Sequence, residues 1–227
     1  MAEVREPGDH RVEMGANEPA ALGPRFPDVL SRAVAGDRAA FGELWRSAQP
    51  SLLRYLFVLC GGPAAEDVAS ETWLKVIRSL PTFSGDERAF RAWLATVARN
   101  AATDKGRQMA RHPERLAGLL LNDEPDARPA TDELALEALS TQAALEMVVT
   151  TLAPAVAEMV VLRVVIGLDV AQVAALVGRS PGAVRVAVHR GLKALAATLA
   201  PAATAPEAPD EFMAPVTTTP SEAFLHR

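Results

Sequence analysis

Aromatic residues divide this chain in two. Nine of the eleven lie between Phe26 and Trp93, and none follows until Phe212. The first half can therefore build a core around large rings, while the second must pack from Ala, Val, Leu, Ile and Met. In both halves apolar residues recur at intervals of three and four, which is helical periodicity. The expectation is an all-α protein of two helical domains joined by a flexible linker, with disordered tails. The 227 residues suit one moderate domain or two small ones, and a hydrophobic content of 49% can fill their cores.

The first domain is expected over 26–112. Asp37 is an N-cap candidate before an amphipathic run with Phe41, Leu44 and Trp45. Leu52, Leu53, Leu56 and Phe57 continue the pattern until Gly61 and Gly62 stop it. Pro63 can open another helix, with apolar positions Val68, Trp73, Leu74, Val76 and Ile77, before Pro81 breaks it. A loop over 81–87 then leads into a long helix with Phe90, Trp93, Leu94, Val97 and Ala101 along its buried stripe. Residues 113–140 read as an acidic linker with prolines at 113, 125 and 129, and a short helix over 116–121. The second domain spans 141–200. Residues 1–25 and 201–227 read as disordered extensions.

Charge is distributed unevenly. The net charge is −5, yet 88–111 carries +5 and 179–193 carries +4, leaving −14 elsewhere. An acidic protein with two compact basic patches fits a polyanion bound at chosen places; two solvated helix faces are the alternative. The single cysteine, Cys60, excludes an intramolecular disulfide framework, and four scattered histidines offer no structural zinc spacing. No metal or cofactor is expected. Residues 1–24 carry acids and lack the apolar run of a signal peptide. The greasiest stretch, 159–168, is broken by Arg163 and is too short for a membrane span. A cytoplasmic protein without membrane insertion is expected.

The second domain carries a helix-turn-helix pattern. Asp169 caps a short helix whose face holds Val170, Val173, Ala174 and Val177, and Gly178 ends it. Ser180 caps a second helix with Pro181 at its first position. Val184, Val188, Leu192 and Leu195 are expected to point inward, while Arg185, His189 and Lys193 repeat on another face with Arg190 beside them. Two short helices, a three-residue turn and a basic second helix fit the major groove; a helical hairpin with a solvated basic face is the bland alternative. Residues 178–182 also match the G-x-S-x-G hydrolase elbow. That elbow needs a preceding strand and a backbone N–H after the serine, and Pro181 has none. With no P-loop, dinucleotide fingerprint or H-E-x-x-H, the chain is not expected to be an enzyme.

Two blocks carry a family resemblance. Ala65-Glu66-Asp67-Val68-Ala69-Ser70-Glu71-Thr72-Trp73-Leu74-Lys75-Val76 resembles region 2.2 of RNA polymerase sigma factors of the extracytoplasmic-function (ECF) class. Phe90-Arg91-Ala92-Trp93-Leu94-Ala95-Thr96-Val97-Ala98-Arg99-Asn100, with Asp104, Arg107 and Arg111, resembles regions 2.3 and 2.4. Residues 162–195 resemble region 4.2. The likeness covers 26–111 and 141–200 in the family's order. Ser70 stands where glutamine is frequent, Ala183 where threonine is usual, and Val186 and Ala187 where serine and arginine are common.

The resemblance implies a sigma factor that binds core RNA polymerase, recognises promoter DNA and promotes strand opening; the alternative is a stand-alone helix-turn-helix regulator. Glu66, Asp67 and Glu71 would meet basic residues on the beta-prime clamp helices. Region 4 would reach the beta flap, and an anti-sigma factor is a further expected partner. Arg88, Arg91, Arg99, Asn100, Arg107 and Arg111 would hold the minus-ten DNA, with the 81–87 loop receiving a flipped base. Trp93 reads as core rather than as a stacking platform. Arg179, Ser180, Arg185, His189, Arg190 and Lys193 would hold the minus-thirty-five element. The acidic linker either runs through the RNA exit path or is a plain spacer.

Overall fold

A computed structural model describes residues 21–111 and 132–199. After a single turn at Gly23–Arg25 come α1 (Phe26–Val34), α2 (Arg38–Cys60), α3 (Gly62–Ser79) and α4 (Glu87–Arg111). The C-terminal half contains α5 (Asp132–Thr151), α6 (Pro154–Val164), α7 (Val170–Val177) and α8 (Pro181–Leu199). No strand occurs among the described residues, and none of their helices is long and apolar enough to cross a membrane.

Local chemistry sets these boundaries. Asp37 Oδ1 accepts the N–H groups of Ala39 and Ala40 at 2.8 and 3.2 Å, which caps α2. Its other oxygen accepts from Arg32 at 2.7 Å, and that guanidinium together with the backbone bonds lowers the Asp37 carboxyl below its usual range. Pro50 sits inside α2, where it cannot donate to the preceding turn. Gly85, at φ 149°, brings the chain so close to α4 that a Cβ would lie 2.8 Å from that of Ala89. Asp86 then caps α4 by accepting from the Ala89 N–H at 2.7 Å.

The aromatic core forms as the composition requires. Phe26, Leu44, Leu52, Tyr55, Leu56, Val68, Val76 and Phe90 are all essentially inaccessible to solvent. Trp93 stacks on Phe83 with ring centroids 5.0 Å apart and touches Phe90 at 5.8 Å, so it belongs to the core's rim.

Several expectations change. Trp45, Leu74 and Ile77, read as inward-facing, are exposed. Leu192 also faces outward, and Gly191 takes the inward place where α8 crosses α6. The turn at Gly23–Arg25, assigned to the N-terminal extension, joins the fold: Leu22 is buried, and Glu87 accepts the N–H groups of Leu22 and Gly23 at 3.1 and 2.8 Å. Helix α5 begins at Asp132, within the stretch read as linker. The short helix expected over 116–121 lies outside the described residues.

The two halves pack on each other through α2 and α6. One continuous buried cluster runs from Phe26, Leu44 and Phe90 to Val161, Leu162, Ile166, Leu168 and Val184. Where Val165 and Ile166 approach Phe26, Leu52, Phe90 and Leu94, a cavity of about 20 Å³ remains.

Candidate nucleic-acid interface

The helix-turn-helix is built as its capping residues dictate. Asp169 Oδ1 accepts the Gln172 N–H at 2.8 Å, and Gln172 Oε1 accepts the Asp169 N–H at 3.0 Å, a reciprocal capping box. Gly178 closes α7 in the left-handed conformation (φ 68°, ψ 40°), which costs a glycine little. Ser180 Oγ accepts the Ala183 N–H at 3.2 Å and starts α8. The segment before Ser180 is helix rather than strand, so the hydrolase-elbow geometry is absent.

Val184 is completely buried and fixes the rotation of α8. That rotation leaves Arg179, Ser180, Arg185, His189, Arg190 and Lys193 all exposed. None of the basic five forms an ion pair among the described residues. The surface thus presents hydrogen-bond donors and positive charge, with Val186 exposed beside Arg185.

The basic residues of α4 are placed differently. Arg99 Nε donates to Glu158 Oε1 at 2.7 Å across the two halves, and Tyr55 Oη donates to the same oxygen at 3.1 Å. Burial first, and then the neighbouring Glu158 carboxylate, push the Tyr55 phenol above its usual range; the hydrogen bond to Glu158 raises the Arg99 guanidinium. Arg91 Nη2 donates to Glu87 at 3.0 Å, with its other terminal nitrogen against Gly167. Arg88 lies 3.9 Å from Asp169. Arg107 is 3.8 Å from Asp104, and Asn100 is exposed. The expected free minus-ten face is therefore partly occupied: Arg88, Arg91 and Arg99 all turn toward the C-terminal half. The side chain of Arg111 lies outside the described residues.

On α3, Glu66 and Asp67 are exposed and Glu71 is half-buried. Lys105 bonds Asp67 at 3.3 Å and Lys75 bonds Glu71 at 2.9 Å. Sequence reasoning missed what shares this face. Leu74 and Ile77 follow Asp67, Ser70 and Glu71 at helical spacing and are 55% and 50% exposed. Beside Ile77, an apolar groove of about 420 Å³ runs past Val34, Phe41, Leu80 and Pro81. The signal was present in the register: Leu74 is three residues after Glu71 and seven after Asp67, which puts it on the acidic face. No group of three or more metal-binding side chains occurs among the described residues.

Residues 44–112 match the family model of Sigma-70 region 2, and residues 142–195 match that of Sigma-70 region 4. The chain is 36% identical over 176 residues to the ECF RNA polymerase sigma factor BldN of Streptomyces coelicolor, across 77% of this chain and 66% of that one. It is 36% identical over 186 residues to the ECF RNA polymerase sigma factor SigD of Mycobacterium tuberculosis, across 76% and 83%. The chain belongs to the ECF sigma factors. Its fold is similar to that of CnrH, solved in complex with the cytosolic domain of CnrY, with a TM-score of 0.51 at 22% identity over 77% of this chain and 96% of that one. Having both regions in one ECF chain supports a polymerase-binding, promoter-recognising sigma factor over a stand-alone helix-turn-helix regulator. Region 2 includes the acidic-apolar face of α3 and the whole of α4; region 4 includes the whole of α7 and the basic face of α8.

Proposed function

We propose that this ECF sigma factor works in the cytoplasm and divides its contacts among three surfaces. Helix α8 enters the major groove of the minus-thirty-five element, with Arg185 on base edges and Arg179, Ser180, Arg190 and Lys193 on phosphates; His189 completes the face. Helix α4 and the 81–87 loop hold the opened minus-ten strand through Arg88, Arg91, Arg99, Asn100, Arg107 and Arg111. Glu66, Asp67 and Glu71, flanking Leu74 and Ile77, dock on the beta-prime clamp helices, and the region 4 half reaches the beta flap. An anti-sigma factor completes the partner set; one sigma factor similar in fold, RpoE of Bartonella quintana, was solved in complex with the anti-sigma factor NepR.

The observation that supports this most directly is the α8 surface. Five basic side chains and the Ser180 cap share a helix-turn-helix face that no acidic side chain among the described residues neutralises. Arg185 lies in the first two turns of α8, where recognition helices reach base edges, and its neighbours Ala183, Val186 and Ala187 bring no donors.

Run-off transcription with the matching core enzyme tests the assignment. An arginine bidentate to guanine contributes roughly 1–3 kcal/mol of discrimination, so Arg185→Ala should lower transcription from the cognate upstream element about 5- to 150-fold. It should change little on a template with that element scrambled. Arg190→Ala should weaken both templates alike and reduce the salt slope by about one. Equal losses for Arg185→Ala on both templates would make Arg185 a phosphate contact.

A further inference from the structure

Glu158 is a buried carboxylate in the middle of α6, outside the set of DNA contacts proposed above. Its side chain is only 11% exposed, and its oxygen takes hydrogen bonds from Arg99 Nε and Tyr55 Oη, both in the region 2 half. A guanidinium held by an acidic oxygen at 2.7 Å is the geometry it would adopt on a DNA phosphate. The same closure places Gly167 against Arg91 and Asp169 near Arg88.

Promoter geometry conflicts with this arrangement. Elements centred near minus ten and minus thirty-five lie about 25 base pairs apart, or about 85 Å at 3.4 Å per base pair. Here the cap of α7 touches the first turn of α4. The twenty residues from 112 to 131 can span at most about 70 Å when fully extended, and each half adds its own breadth. The chain can therefore open, but it cannot engage both elements while closed.

We propose that Glu158 is an internal stand-in for a promoter phosphate, clasping Arg99 so that the free sigma factor is closed and DNA must displace region 4 from α4. This rests on the reading of Arg99 as a minus-ten contact. Breaking the clasp should raise the population of the open form and thereby the apparent affinity of every ligand that needs it, by the same factor. Hydrogen bonds to charged groups are about twice as strong as neutral ones, so Glu158→Gln, which keeps the shape and removes the charge, should favour opening on the order of tenfold. Tyr55→Phe deletes one bond from the other side and should give a smaller gain.

The test uses the full chain in a Cys60→Ser background with spin labels at the exposed positions 79 on α3 and 196 on α8. Double electron–electron resonance should show one short distance for the parent, and an added long population for Glu158→Gln. In parallel, binding to a fluorescent 20-base single strand of arbitrary sequence is measured from 50 to 200 mM salt. Glu158→Gln should bind on the order of tenfold tighter, with a salt slope steeper by about one, and adding Arg99→Ala should abolish that steepening. If the distances stay short and binding is unchanged, the clasp is not what closes the chain; transcription by Arg99→Ala still reports separately on the minus-ten reading. If the distances lengthen while DNA binding stays the same, Glu158 is not masking a phosphate site, and both the proposal and the role of Arg99 fail. Should Glu158→Gln unfold, Tyr55→Phe carries the same two measurements.

Discussion

At Gly191, helices α6 and α8 cross so closely that a methyl group would lie 2.9 Å from Val160 Cγ2 and 3.0 Å from Val156 Cγ1. Both neighbours are β-branched and stiff, so neither can swing aside at low cost. Two effects then compete in Gly191→Ala. Helix propensity favours alanine by about 1 kcal/mol, and overpacking opposes it by roughly 1–3 kcal/mol. Overpacking should win, and the thermal midpoint should fall. At Gly106, inside α4, a Cβ would meet nothing within 4 Å. The same substitution there should raise stability by up to about 1 kcal/mol. Circular dichroism melts of the two variants decide the matter; a rise at both positions would mean that α6 and α8 can separate without penalty.

At the scale of the helix, α3 carries acids and exposed apolar side chains on a single face. On the proposed docking, its acids would steer the approach and the exposed Leu74 and Ile77 would supply area to bury. Asp67→Arg with Glu71→Arg should prevent capture of core polymerase at physiological salt while the chain stays folded, since the ion pairs lost to Lys105 and Lys75 are partly exposed and contribute little. Leu74→Ala should weaken capture about 5- to 30-fold, in the range of an interface anchor, with little change in melting because the side chain already faces solvent. Capture unaffected by Leu74→Ala would leave the apolar half of this face without a role. The sequence conveyed the helices themselves, their caps at Asp37, Asp169 and Ser180, and the turn at Gly178, because each is decided within a few residues. It misplaced Leu74, Ile77 and Leu192, because hydrophobicity alone predicts burial and does not fix which way a helix is turned. Nor could periodicity find Gly191, since a glycine within an apolar stripe gives no hint of a close crossing. The clasp between Arg99 and Glu158 joins positions 59 apart, a pairing set by the packing of α6 on the first half.

For the molecule as a whole, the joining of the halves should be sensitive to alkali. Tyr55 is buried as a neutral donor to Glu158, beside Arg99, and its folded pKa is raised above the ordinary value of 10.0. A raised folded pKa means that the stabilisation is complete below the unfolded value and is lost as pH climbs past it. Stability should therefore hold to about pH 10 and then fall, because the unfolded chain releases this proton more readily. Cys60, also raised by burial from 9.0, adds a loss in the same direction that begins about one unit lower. Urea melts between pH 8 and 11 in a Cys60→Ser background should show the decline, and Tyr55→Phe should flatten it; an undiminished decline would assign the alkaline loss elsewhere. The shared oxygen of Glu158 also has an evolutionary consequence. On the proposed reading Arg99 serves DNA as well as Glu158, whereas the Tyr55 hydroxyl has, among the described residues, only Glu158 to bond. Descendants of this chain that lose Glu158 should lose the Tyr55 hydroxyl with little further consequence while retaining Arg99. The clasp should thus come and go among relatives as a pair of linked substitutions laid over an unchanging arginine.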